Sequence, residues 1–194
     1  MNLLLSAFFP RMAQLPWYFA NMRALILEDN RDRRVAMIAR LMERFPFLRV
    51  TFFDSATEMI RAMSALEWRE VVVIALDHDL EMIGKADGSW SDPGTGLEVA
   101  QWLAARPQSA CSVVVHTTNA HGGNAMVDVL TQAQWDVARV TPYDDLQWID
   151  DAWFTAMRNA IVAYAPQPRR QTPLPPTESA GLLPTLTTDR PSTM

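Results

Sequence analysis

Cysteine is almost missing from this chain: Cys111 is the only one, which excludes an internal disulfide and a cysteine-rich zinc site. A lone thiol beside an apolar run reads as a small hydrophobe at a strand start and fits a reducing compartment, so a cytoplasmic location is expected. Long apolar runs are missing too, since nothing approaches the roughly 18 residues of a membrane-spanning helix. The apolar opening from Leu3 to Phe9 has no positive region before it and is broken by Pro10, Arg11 and Pro16, which argues against a secretory signal. Basic charge is short. Lys and Arg number 17 against 22 Asp and Glu, for a net charge of −5, and residues 22–164 alone hold 13 basic against 20 acidic residues. That balance argues against nonspecific binding to nucleic acid or to an anionic membrane, while it permits a small phosphorylated ligand held together with a metal.

What is present suits one globular domain with tails, because 194 residues with 49% hydrophobic content can bury a single core. Met22 runs straight into a first strand, so residues 1–21 read either as an extension upstream of the natural start or as an amphipathic appendage. The far end, 165–194, holds seven of the thirteen prolines with Thr and Ser and almost no aromatics. Such a composition cannot offset its ordering entropy by burial, so a disordered tail is expected there.

Between the tails, short apolar runs alternate with segments of helical period, the pattern of βαβ units and a parallel sheet. Strands are expected at Ala24 to Leu27, Val50 to Phe53, Val71 to Leu76, Ser112 to Val115 and Val137 to Val140. The third is β-branched and apolar on both faces, as a central parallel strand should be. Helices are expected after Asp29 or Asn30, after Asp54 or Ser55, over about 96–105, 124–134 and 145–164. The fold class that follows is a doubly wound, flavodoxin-like five-stranded parallel sheet with helices on both faces, with ligands bound outside the carboxyl ends of its strands.

Polar clusters stand at those ends: Glu28 and Asp29 after the first strand, Asp77, His78 and Asp79 after the third, His116, Thr117, Thr118 and Asn119 after the fourth. All three histidines, His78, His116 and His121, fall in or beside these clusters, and six of the seven glycines lie between Gly84 and Gly123. Three titratable groups directly after a buried apolar run are costly to desolvate unless a metal or partners compensate, which marks Asp77, His78 and Asp79 as functional candidates.

Taken together, Glu28 and Asp29, then Asp77, Thr117 and Pro142, resemble the site plan of two-component receiver domains over residues 22 to about 164. The resemblance implies acids that bind a divalent cation, a phosphoryl acceptor at Asp77 and a switch residue at Thr117. The phosphate-contacting Lys of that family has no counterpart, because Thr141 precedes Pro142 and the chain's single lysine is Lys85; Arg139 is the nearest candidate to replace it. The strings Leu-Asp-His-Asp-Leu at 76–80 and Val-His-Thr-Thr-Asn at 115–119, followed by Gly122, Gly123, Asn124 and Met126, are similar to the cyclic-phosphate-processing receiver variant.

Metal-dependent phosphoester hydrolysis is then the expected chemistry, on a cyclic phosphodiester of a nucleotide or an RNA end. Glu28, Asp29, Asp77 and Asp79 are the candidate ligands of a divalent cation, Mg or Mn by the hardness of carboxylate oxygens. His116, His78 and Asp77 are the candidate catalytic groups. Thr117, Thr118, Asn119, Gly122, Gly123 and Asn124 are the candidate phosphate-binding residues. A non-catalytic signalling receiver and a module that senses a cyclic phosphate without turnover are the alternatives.

Overall fold

The computed structural model describes residues 22–164. The expected extension at 1–21 and the expected tail at 165–194 lie outside the described residues. Five strands, β1 (Arg23–Leu27), β2 (Arg49–Phe53), β3 (Val71–Leu76), β6 (Ser112–His116) and β7 (Val137–Val140), form one parallel sheet in the order β2-β1-β3-β6-β7. This is the doubly wound, flavodoxin-like order expected from the alternating pattern.

Every residue of β3 is buried, which follows from its central place: Val72, Val73 and Ala75 enter the core on one face, Val71, Ile74 and Leu76 the core on the other. Helices α1 (Arg31–Arg44) and α5 (Phe154–Ala163) cover the first face, while α2 (Ala56–Ser64), α3 (Gly96–Ala104) and α4 (Ala120–Gln132) cover the second. Cys111 is enclosed in the second core, where burial pushes its thiol up to about 11, so it packs as the hydrophobe its position suggested. Among the described residues no helix is long and apolar enough to cross a membrane.

Three local features depart from the expected pattern. The loop from Leu80 to Pro93 contains a two-residue antiparallel pair, β4 (Ile83–Gly84) with β5 (Trp90–Ser91). Helix α4 starts at Ala120, four residues before the expected start, because Asn119 caps it by accepting from the Gly122 amide at 2.8 Å. The last helix does not run unbroken from residue 145. Asp144 and Asp145 have φ of 41° and 38°, and a π-helical turn over Ile149–Trp153 precedes α5. A π turn is wider than an α turn, with hydrogen bonds from i to i+5, so Trp148 and Trp153 fall closer to one side and both lie buried in the first core.

Helix α3 is held close under the end of β3. The Gly96 amide donates to the His78 carbonyl at 3.1 Å, and a Cβ on Gly96 would stand 2.0 Å from the Asp77 carbonyl oxygen. A backbone oxygen cannot swing aside, so Gly96→Ala is expected to cost about 1–3 kcal/mol, the usual range for overpacking, or more. A lower urea midpoint at unchanged denaturant slope is the expected reading, and a midpoint equal to that of the wild type would show that the approach is not so close.

Candidate functional site

The ends of β1, β3 and β6 bring Glu28, Asp77 and His116 together. Parallel pairing sets Leu27 beside Leu76 and Leu76 beside Val115, so the residues that follow project from one edge of the sheet. All three side chains are buried, and one carboxylate oxygen from each acid and one ring nitrogen of His116 lie within 4.8 Å of one another. His116 Nε2 is 3.4 Å from Glu28 Oε2 without hydrogen-bond alignment, and neither ring nitrogen nor that oxygen has a hydrogen-bond partner. The imidazole is walled by two indoles: it stacks on Trp148 with centroids 5.9 Å apart and meets Trp153 edge-on at 6.3 Å.

Backbone donors hold the acids in place. Glu28 Oε1 accepts from the Asn30 amide at 3.0 Å, and Asp77 Oδ1 accepts from the His78 amide at 2.6 Å. Asn30 in turn caps α1 by accepting from the amides of Asp32 and Arg33, which places Arg33 over the acids. Its Nη1 donates to Asp77 Oδ2 at 3.1 Å and stands 3.6 Å from Glu28 Oε2. Burial raises the Asp77 carboxyl above its ordinary value, with the nearby Glu28 charge adding to the rise and His116 and Arg33 opposing it. Burial pushes Glu28 upward too, but His116, the Asn30 amide and Arg33 outweigh it and hold that carboxyl below the usual range.

A second group is built around His78, nearer solvent. His78 Nδ1 lies 2.7 Å from Asp79 Oδ1, and Asn119 Nδ2 donates to both Asp79 oxygens at 3.1 and 3.2 Å. Those hydrogen bonds hold the Asp79 carboxyl below its ordinary range, and in the tautomer with the proton on Nδ1 the ring donates to Asp79 and leaves Nε2 open. The ring lies against the start of α4, where a Cβ on Gly122 would stand 2.3 Å from His78 Cδ2; only glycine leaves the space.

The remaining expected residues divide between these groups and other tasks. Asp29 lies outside the buried cluster and accepts from the Glu81 amide, tying down the loop after β3. Asp79 belongs to the His78 group instead. Thr117 is buried and its Oγ1 accepts from the Asn119 amide at 3.2 Å, while Thr118 is exposed on the wall of a neighbouring cleft. The amides of Gly122 and Gly123 are already bonded, to the Asn119 side chain and to the Asn119 carbonyl, because the helix begins earlier than the glycines suggested. Both amides are thus engaged within the helix start in this structure. Asn124 accepts from Arg139 Nη1, and Arg139 also reaches the Ala120 carbonyl and packs over Gly123. Arg139 therefore serves α4 and does not replace the absent lysine at Asp77. His121 is exposed in the first turn of α4.

Sequence reasoning missed Arg33, the cation that does face Asp77, and the indole of Trp148. The available signal was the spacing of Arg33 three residues after a helix-capping Asn30 that itself follows the acidic pair. Arg33 and Trp148 also line a cleft of about 750 Å³ between the start of α1 and the segment after β7, with Asn30, Thr118 and Tyr143 on its other walls. The buried cluster fits a divalent cation. Two enclosed carboxylates face one guanidinium, and the orphaned Glu28 oxygen and imidazole nitrogens are the kind of donor a metal satisfies.

The family described as the cyclic-phosphate processing receiver domain matches residues 23–132, from β1 to the end of α4. Among solved structures, the chain is similar to a response regulator receiver domain from Rhodospirillum rubrum, at 11% identity and a TM-score of 0.52, covering 73% of this chain and 92% of that one. It is similar to the phosphorylated cyanobacterial phytochrome response regulator RcpA, at 14% identity and a TM-score of 0.54, covering 74% of this chain and 96% of that one. A Francisella receiver domain, response regulator 1452, aligns at 11% identity and a TM-score of 0.50 over 73% of this chain and 97% of that one. At these identities the likeness is one of fold. The comparison with curated proteins gave no match.

Proposed function

The chain belongs to the family of cyclic-phosphate processing receiver domains, and from that premise we propose that it is a metal-dependent phosphoesterase that opens a cyclic phosphodiester of a nucleotide or an RNA end. The observation that carries this reading is the enclosure of Glu28, Asp77 and His116 within 4.8 Å of one another, with one Glu28 oxygen and both His116 nitrogens left without hydrogen-bond partners. Glu28, Asp77 and His116 would hold a divalent cation, Mg or Mn, which supplies Lewis-acid charge to the phosphoryl oxygens. The indoles of Trp148 and Trp153 fix the His116 ring and keep water from it.

His78 moves the proton. With Nδ1–H committed to Asp79, Nε2 takes a proton from a water whose oxygen forms a new bond to phosphorus. The P–O bond to one sugar oxygen breaks, and the proton held on Nε2 passes to that leaving oxygen. The product is a phosphomonoester with one free hydroxyl, so atoms and charge balance. Asn119 holds Asp79 in position, and Asp79 holds the ring. His116, wholly enclosed, acts as a ligand and not as the proton carrier.

The test is a panel of 2′,3′-cyclic and 3′,5′-cyclic nucleotides with Mg, Mn and softer metals. Conversion of at least one to a phosphomonoester, stopped by a chelator, is expected. A second reading rests on the place of Asp77 at the end of β3 in a receiver fold: the chain would be an atypical signalling receiver. If the panel stays uncleaved with every metal while a small phosphodonor stably modifies Asp77, that second reading replaces the first. Binding of a cyclic phosphate without turnover would instead mark a sensor.

A further inference from the structure

We propose that Arg33 is the phosphate-contacting cation of this site and that it works from two positions: against the Glu28 and Asp77 carboxylates, or turned into the adjoining cleft once a divalent cation occupies those carboxylates. The inference rests on the metal-dependent reading above and adds to it the residue that senses the metal. Receiver domains place that cation on a lysine before the proline that follows the last strand; here the position is Thr141, and Arg139 is spent on Asn124 and the Ala120 carbonyl. Arg33 comes from the opposite side, the first turn of α1, and its Nη1 is the positive group that touches both buried acids.

Its surroundings permit the move. The side chain is 30% exposed, against 0% for Glu28 and 6% for Asp77, so the guanidinium sits at the boundary between the buried acids and solvent. It lies 5.9 Å from the centroid of Trp148, and both residues line the cleft of about 750 Å³, a volume in the range of small-ligand sites. A guanidinium is a planar donor set suited to phosphate oxygens and is always charged. Two like charges on one pair of carboxylates repel, so a bound divalent cation expels Arg33 from the acids, and the cleft is the open side. Asp32, Asp144 and Asp145 on the cleft walls disfavour further phosphates, so the ligand fits with one anionic group at Arg33 and an uncharged remainder along Tyr143. That description suits a mononucleoside cyclic phosphate better than a polyphosphate.

The test uses Mn²⁺ alone, then inorganic phosphate with and without Mn²⁺, on the full chain and on Arg33→Gln and Arg33→Lys, by calorimetry. Removing the competing charge should tighten Mn²⁺ binding of Arg33→Gln by about 10- to 100-fold, the worth of a charge-assisted bond. In the wild type Mn²⁺ should tighten phosphate binding, and phosphate should tighten Mn²⁺ binding by the same factor. Arg33→Gln should lose that coupling and Arg33→Lys should keep part of it. Unchanged or weaker Mn²⁺ binding in a folded Arg33→Gln, or undiminished coupling, overturns the proposal and leaves Arg33 a fixed structural ion pair. Absence of Mn²⁺ binding in all three proteins overturns it as well. Because none of these readings depends on turnover, an inactive wild type that shows the full pattern would end the hydrolase reading and keep this one.

Discussion

Replacing His78 with alanine is expected to lower turnover of the cleaved cyclic phosphate by about 10²- to 10⁴-fold, the range of a general acid or base, while Mn²⁺ affinity stays within about twofold. The split between the two readouts follows from the separation of the two groups. His78 is tied to Asp79 and Asn119 and lies on Gly122, whereas the carboxylates that would hold a cation belong to a different, buried set that includes His116. His116→Ala should behave in the opposite way and weaken Mn²⁺ binding first. If His78→Ala retains full turnover, imidazole proton transfer at this position is wrong, and if it loses Mn²⁺ binding equally the histidine is a ligand instead.

The double variant Glu28→Gln, Asp77→Asn is expected to lose Mn²⁺ binding by more than about 10²-fold, since it removes both anionic ligands and leaves neutral amides around His116. Calorimetric titration decides this, and an unchanged affinity would remove the buried cluster as a metal site. Without added metal the two carboxyls bear on stability in opposite directions. Burial raises the Asp77 carboxyl above 3.8, so the folded chain holds that proton more tightly than the unfolded chain. Stability therefore falls as pH rises from the ordinary Asp value through the raised one. Glu28 is shifted down from 4.5, so its contribution is present above that value and lost as pH falls through the lowered one. The single variant Asp77→Asn should abolish the loss on the high side. Added Mn²⁺ should offset that loss in the wild type, because ligand binding to the folded state alone stabilises it.

The fold was legible because each strand announced itself by β-branched apolar content and each was followed by a polar break. The arrangement of Asp77 beside His116 also followed from the sheet order, since β3 and β6 are neighbours and both motifs sit at their carboxyl ends. What escaped was set by tertiary contact. Gly122 and Gly123 fell outside the helix expected over 124–134, yet they are helical under the Asn119 cap, and the His78 ring and Arg139 occupy the space a side chain there would fill. Arg33 sits among Arg31, Arg34 and Arg40 on a polar helix face, and only the approach of α1 to the end of β3 distinguishes it. The division of the histidines was half visible, as strand-end alternation says that neighbours diverge but not which one is enclosed.

The π-helical turn before α5 turns the shielding of His116 into a question of residue count. An α-helix advances about 100° per residue, so positions five apart point well away from each other, whereas the wider turn returns Trp153 to the side of Trp148. The extra residue held between Ile149 and Trp153 acts as a spacer whose chemistry matters less than its presence. Substitutions at the exposed Asp150 or Asp151 should leave the indole enclosure standing, but a single deletion there would rotate one wall of the chamber out of place without altering any of the residues that line it.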